Sequence, residues 1–223
     1  MGIERGHSLT GFGAVLLVVS LLEGCASLAY LPGQQTIGTL RVIGPEVRVN
    51  GMPANDGQTL TSGDYISTGA ASSAYLHFLS GGFIQLDANT DPGFKLVWDK
   101  TQCIFLNWKY RNGQAYQKTT ANDCQSFLET PVGKFFRKDT QFNVLVNPQQ
   151  TVMTVLEGKM ELISPQQMSL EQGQQMIVTK SGVQSVRKLS EQELREVTRW
   201  RDRFPLPDVG GGGGSRQAGE CTD

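Results

Sequence analysis

The sequence predicts an all-β fold, either a two-layer sandwich or a short solenoid-like roll, with one helix near the C-terminus. Charged residues make up only 18% of the 223 residues, and 26 residues are glycine, against a usual glycine share of about 7%. Short apolar runs alternate with polar residues and end at turns that contain glycine or proline, as β-strands do. A formal net charge of −1 gives no electrostatic support for nucleic-acid binding.

The N-terminal 24 residues are predicted to be a lipoprotein signal peptide. The apolar run Phe12–Leu22 has the length of a signal-peptide core and is too short to span a bilayer. The following Leu22-Glu23-Gly24-Cys25 resembles the lipobox of bacterial lipoproteins. This resemblance implies lipidation of Cys25 and attachment to a membrane through its acyl chains, and Ala26 with Ser27 resembles an outer-membrane sorting signal. The alternative is an uncleaved anchor over Phe12–Leu31.

Residues 25–36 are expected to be a tether, and residues 37–189 a β domain. Removal of residues 1–24 takes away one basic and two acidic side chains, so the remaining chain has no net charge. The strands follow from alternation and from turn residues such as Glu157-Gly158. They are predicted at Leu40–Ile43, Val47–Asn50, Ala74–Phe78, Phe83–Leu86, Phe142–Val146, Thr151–Leu156, Lys159–Ile163, Gln174–Thr179 and Val183–Arg187.

One helix is predicted over residues 190–204. Ser190 with Glu193 three residues later forms a capping-box pattern, and Pro205 follows the last predicted helical residue. We expect its apolar face to dock on the β core; that face consists of Leu194, Val197, Trp200 and Phe204. Residues 205–223, which include Gly210–Gly214, are predicted to be a disordered tail.

Residues 96–129 are predicted to be a disulfide-bridged hairpin. Asn112-Gly113 lies between alternating residues, the strongest short-range signal for a two-residue hairpin turn. Pairing Arg111 with Gln114 across that turn brings Cys103 close to Cys124, and an oxidising compartment favours a bridge between them. A metal site made of these cysteines and His77 lacks the spacing that such sites have.

The same hairpin provides the candidate binding surface. Large aromatic side chains and an arginine lie close together there, and such residues are typical anchors for proteins or sugars. The candidates are Phe105, Trp108, Tyr110, Arg111 and Tyr116. Alternation also allows Trp108 and Tyr110 to pack on the main sheet, so both interpretations stay open.

No catalytic pattern is present, and no enzyme, cofactor or metal is predicted. Motifs for serine hydrolases, zinc proteases and phosphate loops are absent from the sequence. His77 is expected to lie on the surface of a strand. Asp87-x-Asn89-x-Asp91 has the alternate carboxylates of a calcium loop, but Pro92 occupies the place of its glycine. An Asx-rich turn closed by Pro92-Gly93 is the preferred interpretation.

Two segments resemble the FecR domain, the periplasmic β module of ferric-citrate-type regulators. The first, residues 57–69, carries the G-D-x-I-x-T-G core of that family. Its residues, with one later glycine, are Gly63, Asp64, Ile66, Thr68, Gly69 and Gly82, and we expect them to hold the fold. The second begins at Thr130-Pro-Val-Gly133 and continues to Gly173-Gln174. Together the match covers about residues 37–187, with Asp139-Thr140 where the family has a Gly-Thr pair.

The resemblance implies a binding or regulatory role. FecR-type regulators place an anti-sigma segment and a transmembrane helix before this domain, whereas this sequence has a predicted cleavable signal there. We therefore expect a non-catalytic envelope lipoprotein that acts as a binding or scaffold module for an envelope protein or glycan. It is expected on the periplasmic face of the outer membrane, and the sequence leaves its oligomeric state open. The alternative is a periplasmic sensor that works with an outer-membrane transporter and a separate membrane partner.

Overall fold

The computed structural model describes residues 36–79, 81–98, 104–119 and 126–205. Strands dominate the described chain. The first eight are β1 (Thr36–Ile43), β2 (Val47–Val49), β3 (Met52–Pro53), β4 (Thr59–Thr61), β5 (Ile66–Thr68), β6 (Ser73–Phe78), β7 (Phe83–Leu86) and β8 (Pro92–Trp98). The others are β9 (Ile104–Tyr110), β10 (Gly113–Lys118), β11 (Ser126–Thr130), β12 (Gly133–Val146), β13 (Gln150–Ser164), β14 (Met168–Glu171), β15 (Gln174–Thr179) and β16 (Gly182–Lys188). An α-helix, α1 (Glu191–Thr198), continues into a 3₁₀ helix over Arg199–Arg203.

The described strands form one large sheet and one small sheet. The large sheet has 13 strands, nine of them in the order β16-β15-β13-β12-β10-β7-β6-β1-β4, and the small sheet has the order β3-β2-β5. Nearly all pairs are antiparallel, and β9 with β11 is a parallel pair. Strands β8, β9 and β11 extend the large sheet beside β12, and β14 pairs with β13.

The hydrophobic core lies between the two sheets. Leu40, Leu76 and Ile84 of the large sheet are buried in one cluster with Val47 and Ile66 of the small sheet. Core residues occupy alternate positions along most strands, so the opposite side of the large sheet carries the residues between them. The predicted all-β class with a single C-terminal helix is confirmed, and the architecture is a large curled sheet with a small second sheet.

A bulge bends the two longest strands where the sequence predicts a turn. Glu157-Gly158 does not end a strand, because β13 runs through it for 15 residues. The register between β12 and β13 shifts between Lys138 and Gln141, and Asp139 has a φ of 47°. Glycine adopts this left-handed conformation without strain, and Asp tolerates it.

The predicted hairpin across Asn112-Gly113 is wrong. β9 pairs with β8 and β11, whereas β10 pairs with β7 and β12. Gly113 does take a positive φ of 106°, and a Cβ there would lie 2.4 Å from the Cα of Thr90. Asn112 does not share this positive φ, so the predicted two-residue hairpin turn does not form, and β9 and β10 do not pair with each other.

Several predictions lie outside the described residues. These are the signal segment, the tether, lipidation at Cys25, the Cys103–Cys124 disulfide and the tail beyond Pro205. In the part of the chain that the structure describes, no helix is long and apolar enough to cross a membrane.

Candidate functional site

Two residues of the predicted binding surface lie in the hydrophobic core, and a third is buried outside it. Trp108 and Tyr110 are buried in the hydrophobic core, with 0% and 1% exposure. Tyr116 is also buried, but it lies outside that core cluster. Arg111 is exposed, with its guanidinium 5.3 Å from the ring centre of Tyr65. Phe105 lies in β9. Core packing, one of the two open interpretations, is therefore the correct one for Trp108 and Tyr110.

The first half of the FecR-like motif closes a turn between β4 and β5. Gly63 has a φ of 97°, a conformation that favours glycine. The Asp64 carboxylate accepts hydrogen bonds from the backbone N–H of Thr61 at 2.7 Å and from Nδ2 of Asn50 at 2.7 Å. Ile66 is fully buried in the core. Each of these contacts joins the motif to the scaffold.

The second half of the motif joins neighbouring loops. The Thr68 hydroxyl accepts a hydrogen bond from the backbone N–H of Thr90 at 2.9 Å. Gly69 lies so close to Glu46 that a Cβ would come within 2.5 Å of the Glu46 Cβ. Gly82 accepts a backbone hydrogen bond at the β6–β7 turn. A role in holding the fold, as predicted, agrees with this geometry.

The alternate carboxylates at residues 87–91 face different partners. The Asp87 carboxylate accepts two bonds from Arg203, and Asp91 Oδ1 accepts one from the backbone N–H of Asn112 at 2.9 Å. Asn89 takes a positive φ of 53° and accepts from Asn112 through its carbonyl. The segment is an Asx-rich turn. No group of three His, Cys, Asp or Glu residues able to hold a metal occurs within the described ranges.

A row of polar and aromatic residues crosses the large sheet on the side opposite the core. Direct register pairs link its members across eight strands, from β1 to β16. The row is Arg41, Tyr75, Gln85, Tyr116, Asn143, Thr154, Gln175 and Arg187. We call it the outer row, and the side of the sheet that carries it the outer face.

The central members of the outer row are buried although they are absent from the core. Tyr75 and Gln85 are each 2% exposed, and Tyr116 and Asn143 are each 3% exposed. Buried amides need hydrogen-bond partners, and the partners come from the C-terminal helices. The helices lie across the outer face, and we call residues 190–204 the terminal segment.

Two side chains of the terminal segment contact the central members of the outer row. The indole N–H of Trp200 donates to Asn143 Oδ1 at 2.8 Å. Arg201 donates through Nε to Gln85 Oε1 at 2.9 Å, and its guanidinium carbon lies 3.6 Å from the ring centre of Tyr116.

Beyond the row, Arg203 forms two bonds with the Asp87 carboxylate at 2.7 and 2.8 Å. Gln85 Nε2 also donates to the carbonyl of Phe204 at 3.2 Å. The predicted docking of the helix on the β core is therefore wrong. The terminal segment lies on the polar side of the sheet, and Trp200 is the buried residue of its helices.

An aromatic cluster lies on the outer face beside the terminal segment. The rings of Tyr75 and Phe83 are stacked with centres 4.8 Å apart, and His77 lies 4.8 Å from Tyr75. Phe83 also contacts Tyr116 at 5.7 Å. His77 is exposed and Phe83 half-buried, so these two rings form an accessible rim.

The environment of the outer face favours neutral side chains. Burial raises the pKa of Tyr75 to about 12, and Arg201 opposes that rise. Burial and the positive charge of Arg41 lower the pKa of His77. Burial also raises the pKa of Asp87, against the hydrogen bond from Ala88 and the charge of Arg203. Arg203 of the terminal segment forms an ion pair with Asp87 at 2.7 Å.

The start of the terminal segment is fixed by the predicted capping box. Glu193 Oε2 accepts from the Ser190 backbone N–H at 2.8 Å, and the Ser190 hydroxyl accepts from the Glu193 N–H. Arg187 Nη1 of β16 bonds Glu193 Oε1 at 2.5 Å. These hydrogen bonds, that of Arg187 first, lower the pKa of Glu193 to about 2.

The terminal segment should loosen in acid because of Glu193. A lowered pKa in the folded chain means that the carboxylate stabilises the helix start above its ordinary pKa of 4.5 and loses this effect as the pH falls towards 2. The protection of the α1 amides against hydrogen exchange, taken relative to the intrinsic exchange rate at each pH, should therefore fall between pH 4.5 and 2. Glu193→Gln should remove most of that pH dependence, whereas Glu191→Gln, in the same turn with a 91% exposed side chain, should keep it. If the pH dependence of protection were the same in both variants, Glu193 would not be its cause.

Among solved structures, the chain is similar to two crystal structures of a protein from Parabacteroides distasonis described as a candidate anti-sigma factor. Both comparisons give a TM-score of 0.51 and 17% sequence identity over 61% of this chain. The match covers 64% and 63% of the other chain, so this chain spans less than two thirds of its length. This likeness is one of fold. No family model and no curated protein matches the sequence.

Proposed function

We propose that this chain is a non-catalytic binding module that recognises its partner through the outer face of a FecR-like β domain. The observation that carries the proposal is the outer row. Polar side chains such as Gln85 and Asn143 are buried there, outside the core, and are satisfied by a separate segment. A sheet face that serves only the scaffold is usually solvated or packed with apolar residues, whereas interfaces between partners combine aromatic anchors with satisfied polar groups.

The charges around the outer face support a protein or glycan partner. His77 and Phe83 provide ring surface at the rim, and the exposed Lys118 lies on the same side of the sheet, opposite Phe83 in register. Lys118 has no ion-pair partner among the described residues. An aromatic rim with an unpaired cation suits an acidic or hydroxyl-rich partner surface.

Crosslinking pull-downs from intact envelopes test this proposal. A tagged native chain should capture a specific partner, and Lys118→Glu should lower its yield at least about tenfold because the charge at the rim is reversed. Lys180→Glu is the matched control, since Lys180 is a surface residue at the β15–β16 turn. Equal capture by both variants would contradict recognition at the outer face.

The proposed location of the protein, attached to a membrane of the cell envelope, follows from the predicted lipoprotein signal. Cys25→Ser should release the protein from membranes into the soluble envelope fraction, because the acyl chains are the proposed anchor. Fractionation followed by immunoblotting measures this, with Cys221→Ser as the control that stays bound. A Cys25→Ser chain that remains fully in the membrane fraction would contradict lipid anchoring.

A regulatory sensor is the second candidate function. The fold similarity to a candidate anti-sigma factor supports it, together with the G-D-x-I-x-T-G motif at residues 63–69. In this role the outer face would receive an outer-membrane transporter, and a separate membrane protein would carry the signal inward. A transporter or sigma-factor regulator among the captured partners favours this role, whereas peptidoglycan or an envelope assembly favours a scaffold.

A further inference from the structure

We infer that the outer face is a receptor for a basic, tryptophan-containing peptide segment, and that the terminal segment is its resident ligand. This inference rests on the proposed function and concerns the part of the partner that takes the place of the terminal segment; the acidic or hydroxyl-rich surface that suits the rim at Lys118 is a separate part of the same partner. Its basis is the set of contacts made by Trp200, Arg201 and Arg203, three side chains within four residues.

The recognition is specific in its chemistry. Asp87 receives two bonds from a single nitrogen, Nη2 of Arg203, at 2.7 and 2.8 Å, so this carboxylate selects a cationic group. Arg201 combines a bond to Gln85 with stacking on Tyr116 at 3.6 Å, which favours a planar guanidinium. The acceptor Asn143 Oδ1 selects an N–H donor. A ligand of the form Trp-Arg-x-Arg satisfies all of these groups.

The terminal segment behaves as a ligand and not as part of the core. α1 contains no buried residue, and no residue of the terminal segment belongs to the core cluster. Helices of eight and five residues are too short to be stable alone in water. Its position therefore depends on the side-chain contacts with the outer face.

Release of the terminal segment exposes the polar groups of its partners on the outer face together with the rings of Tyr116 and Trp200. Gln85, Asp87 and Asn143 would exchange their partners for water, and the two-sheet core would keep its own packing. Opening in this way costs far less than unfolding of the sheet, since locally held segments open below the global free energy. A partner segment can then compete with the resident one, whose tether gives it an effective concentration in the order of millimolar.

The test uses the full chain and a labelled peptide with the sequence of residues 196–205. The opened chain carries Trp200→Ala, Arg201→Ala and Arg203→Ala, which remove the resident contacts and leave the face intact. Fluorescence anisotropy should show the peptide binding the opened chain at least about tenfold more tightly than the native chain. A charge-matched peptide with Arg201→Lys should bind the opened chain at least about tenfold more weakly, because an ammonium cannot both stack on the Tyr116 ring as a plane and donate to Gln85.

Two results would overturn the inference: equal binding of both peptides, or binding to the opened chain no tighter than to the native chain. If the opened chain does not fold, hydrogen exchange on the native chain tests the inference instead. Amides of the terminal segment should exchange at least about a hundredfold faster than those of β10, and equal protection would contradict the inference.

The two proposals can fail separately. A captured envelope partner without peptide binding would refute only the ligand chemistry, whereas peptide binding without any partner would refute the proposed function.

Discussion

Replacing Trp108 by Ala should lower the free energy of unfolding by about 3–5 kcal/mol, the range for truncating a large buried aromatic side chain. Trp108 has no exposed surface. Its ring packs edge-on against Phe78 at 5.1 Å and lies beneath the Arg137 guanidinium at 4.9 Å. The substitution leaves a cavity and removes these contacts, and the close packing around them prevents full collapse. Denaturant unfolding followed by circular dichroism measures the loss.

Met52→Ala is the matched control for that prediction. Met52 is a large apolar residue with 69% exposure, so its truncation should change the free energy of unfolding by no more than about 0.5 kcal/mol. A Trp108→Ala chain as stable as the Met52→Ala chain, with reduced partner capture, would contradict core packing. It would restore the recognition role that the sequence left open for this residue.

Replacing Gly158 by Ala should cost at least about 3 kcal/mol, more than a left-handed backbone alone explains. Gly158 has a φ of 79°, and a Cβ there would come within 2.3 Å of the carbonyl oxygen of Asp139. This carbonyl belongs to the bulge that bends β12 and β13. Relief of the overlap requires movement of backbone in both long strands, which have neighbouring strands on both sides within the large sheet.

Gly57→Ala separates the two causes. Gly57 has the same φ of 79°, but no atom lies within 4 Å of the position its Cβ would take. The cost there should be about 1–2 kcal/mol, from the left-handed conformation alone. Equal unfolding free energies for the Gly57 and Gly158 variants would show that the close approach to Asp139 contributes nothing.

Local signals predicted the strands well because they depend on neighbouring residues. Alternation identified β6 and β7 through pairs such as Leu76 and Ile84, and the Ser190–Glu193 pattern located the helix start. The pattern Leu60-x-x-Gly63-x-x-Ile66 recurs as Leu170-x-x-Gly173-x-x-Met176, and both copies adopt the same local structure. The glycine of each copy has a positive φ, and the apolar residues three positions before and after it are buried.

Strand partners could not be predicted because they depend on distant parts of the chain. Asn112-Gly113 indicates a change of direction with positive φ, but nothing local reveals that β9 joins β8 and β11 while β10 inserts between β7 and β12. Glu157-Gly158 likewise carries turn residues. Whether they end a strand or form a bulge depends on β12, which continues to pair on both sides of them.

The outer row could not be predicted from the sequence either, because it too depends on which strands pair. Its members come from eight strands, and only the register brings them together. A faint signal did exist in the sequence, since Gln85 lies between Ile84 and Leu86, and Asn143 between Phe142 and Val144. A buried amide at a position that alternation assigns to solvent indicates a covering element, and Trp200 with its neighbouring arginines is that element.

Site-specific photo-crosslinking tests the central claim, recognition through the outer face, most directly. A photoreactive amino acid replaces His77, which is exposed at the rim, or Gln166, which is exposed in the turn between β13 and β14. After irradiation of intact envelopes, a specific partner should be crosslinked from position 77 and not from position 166. A partner crosslinked from position 166 alone would contradict the claim.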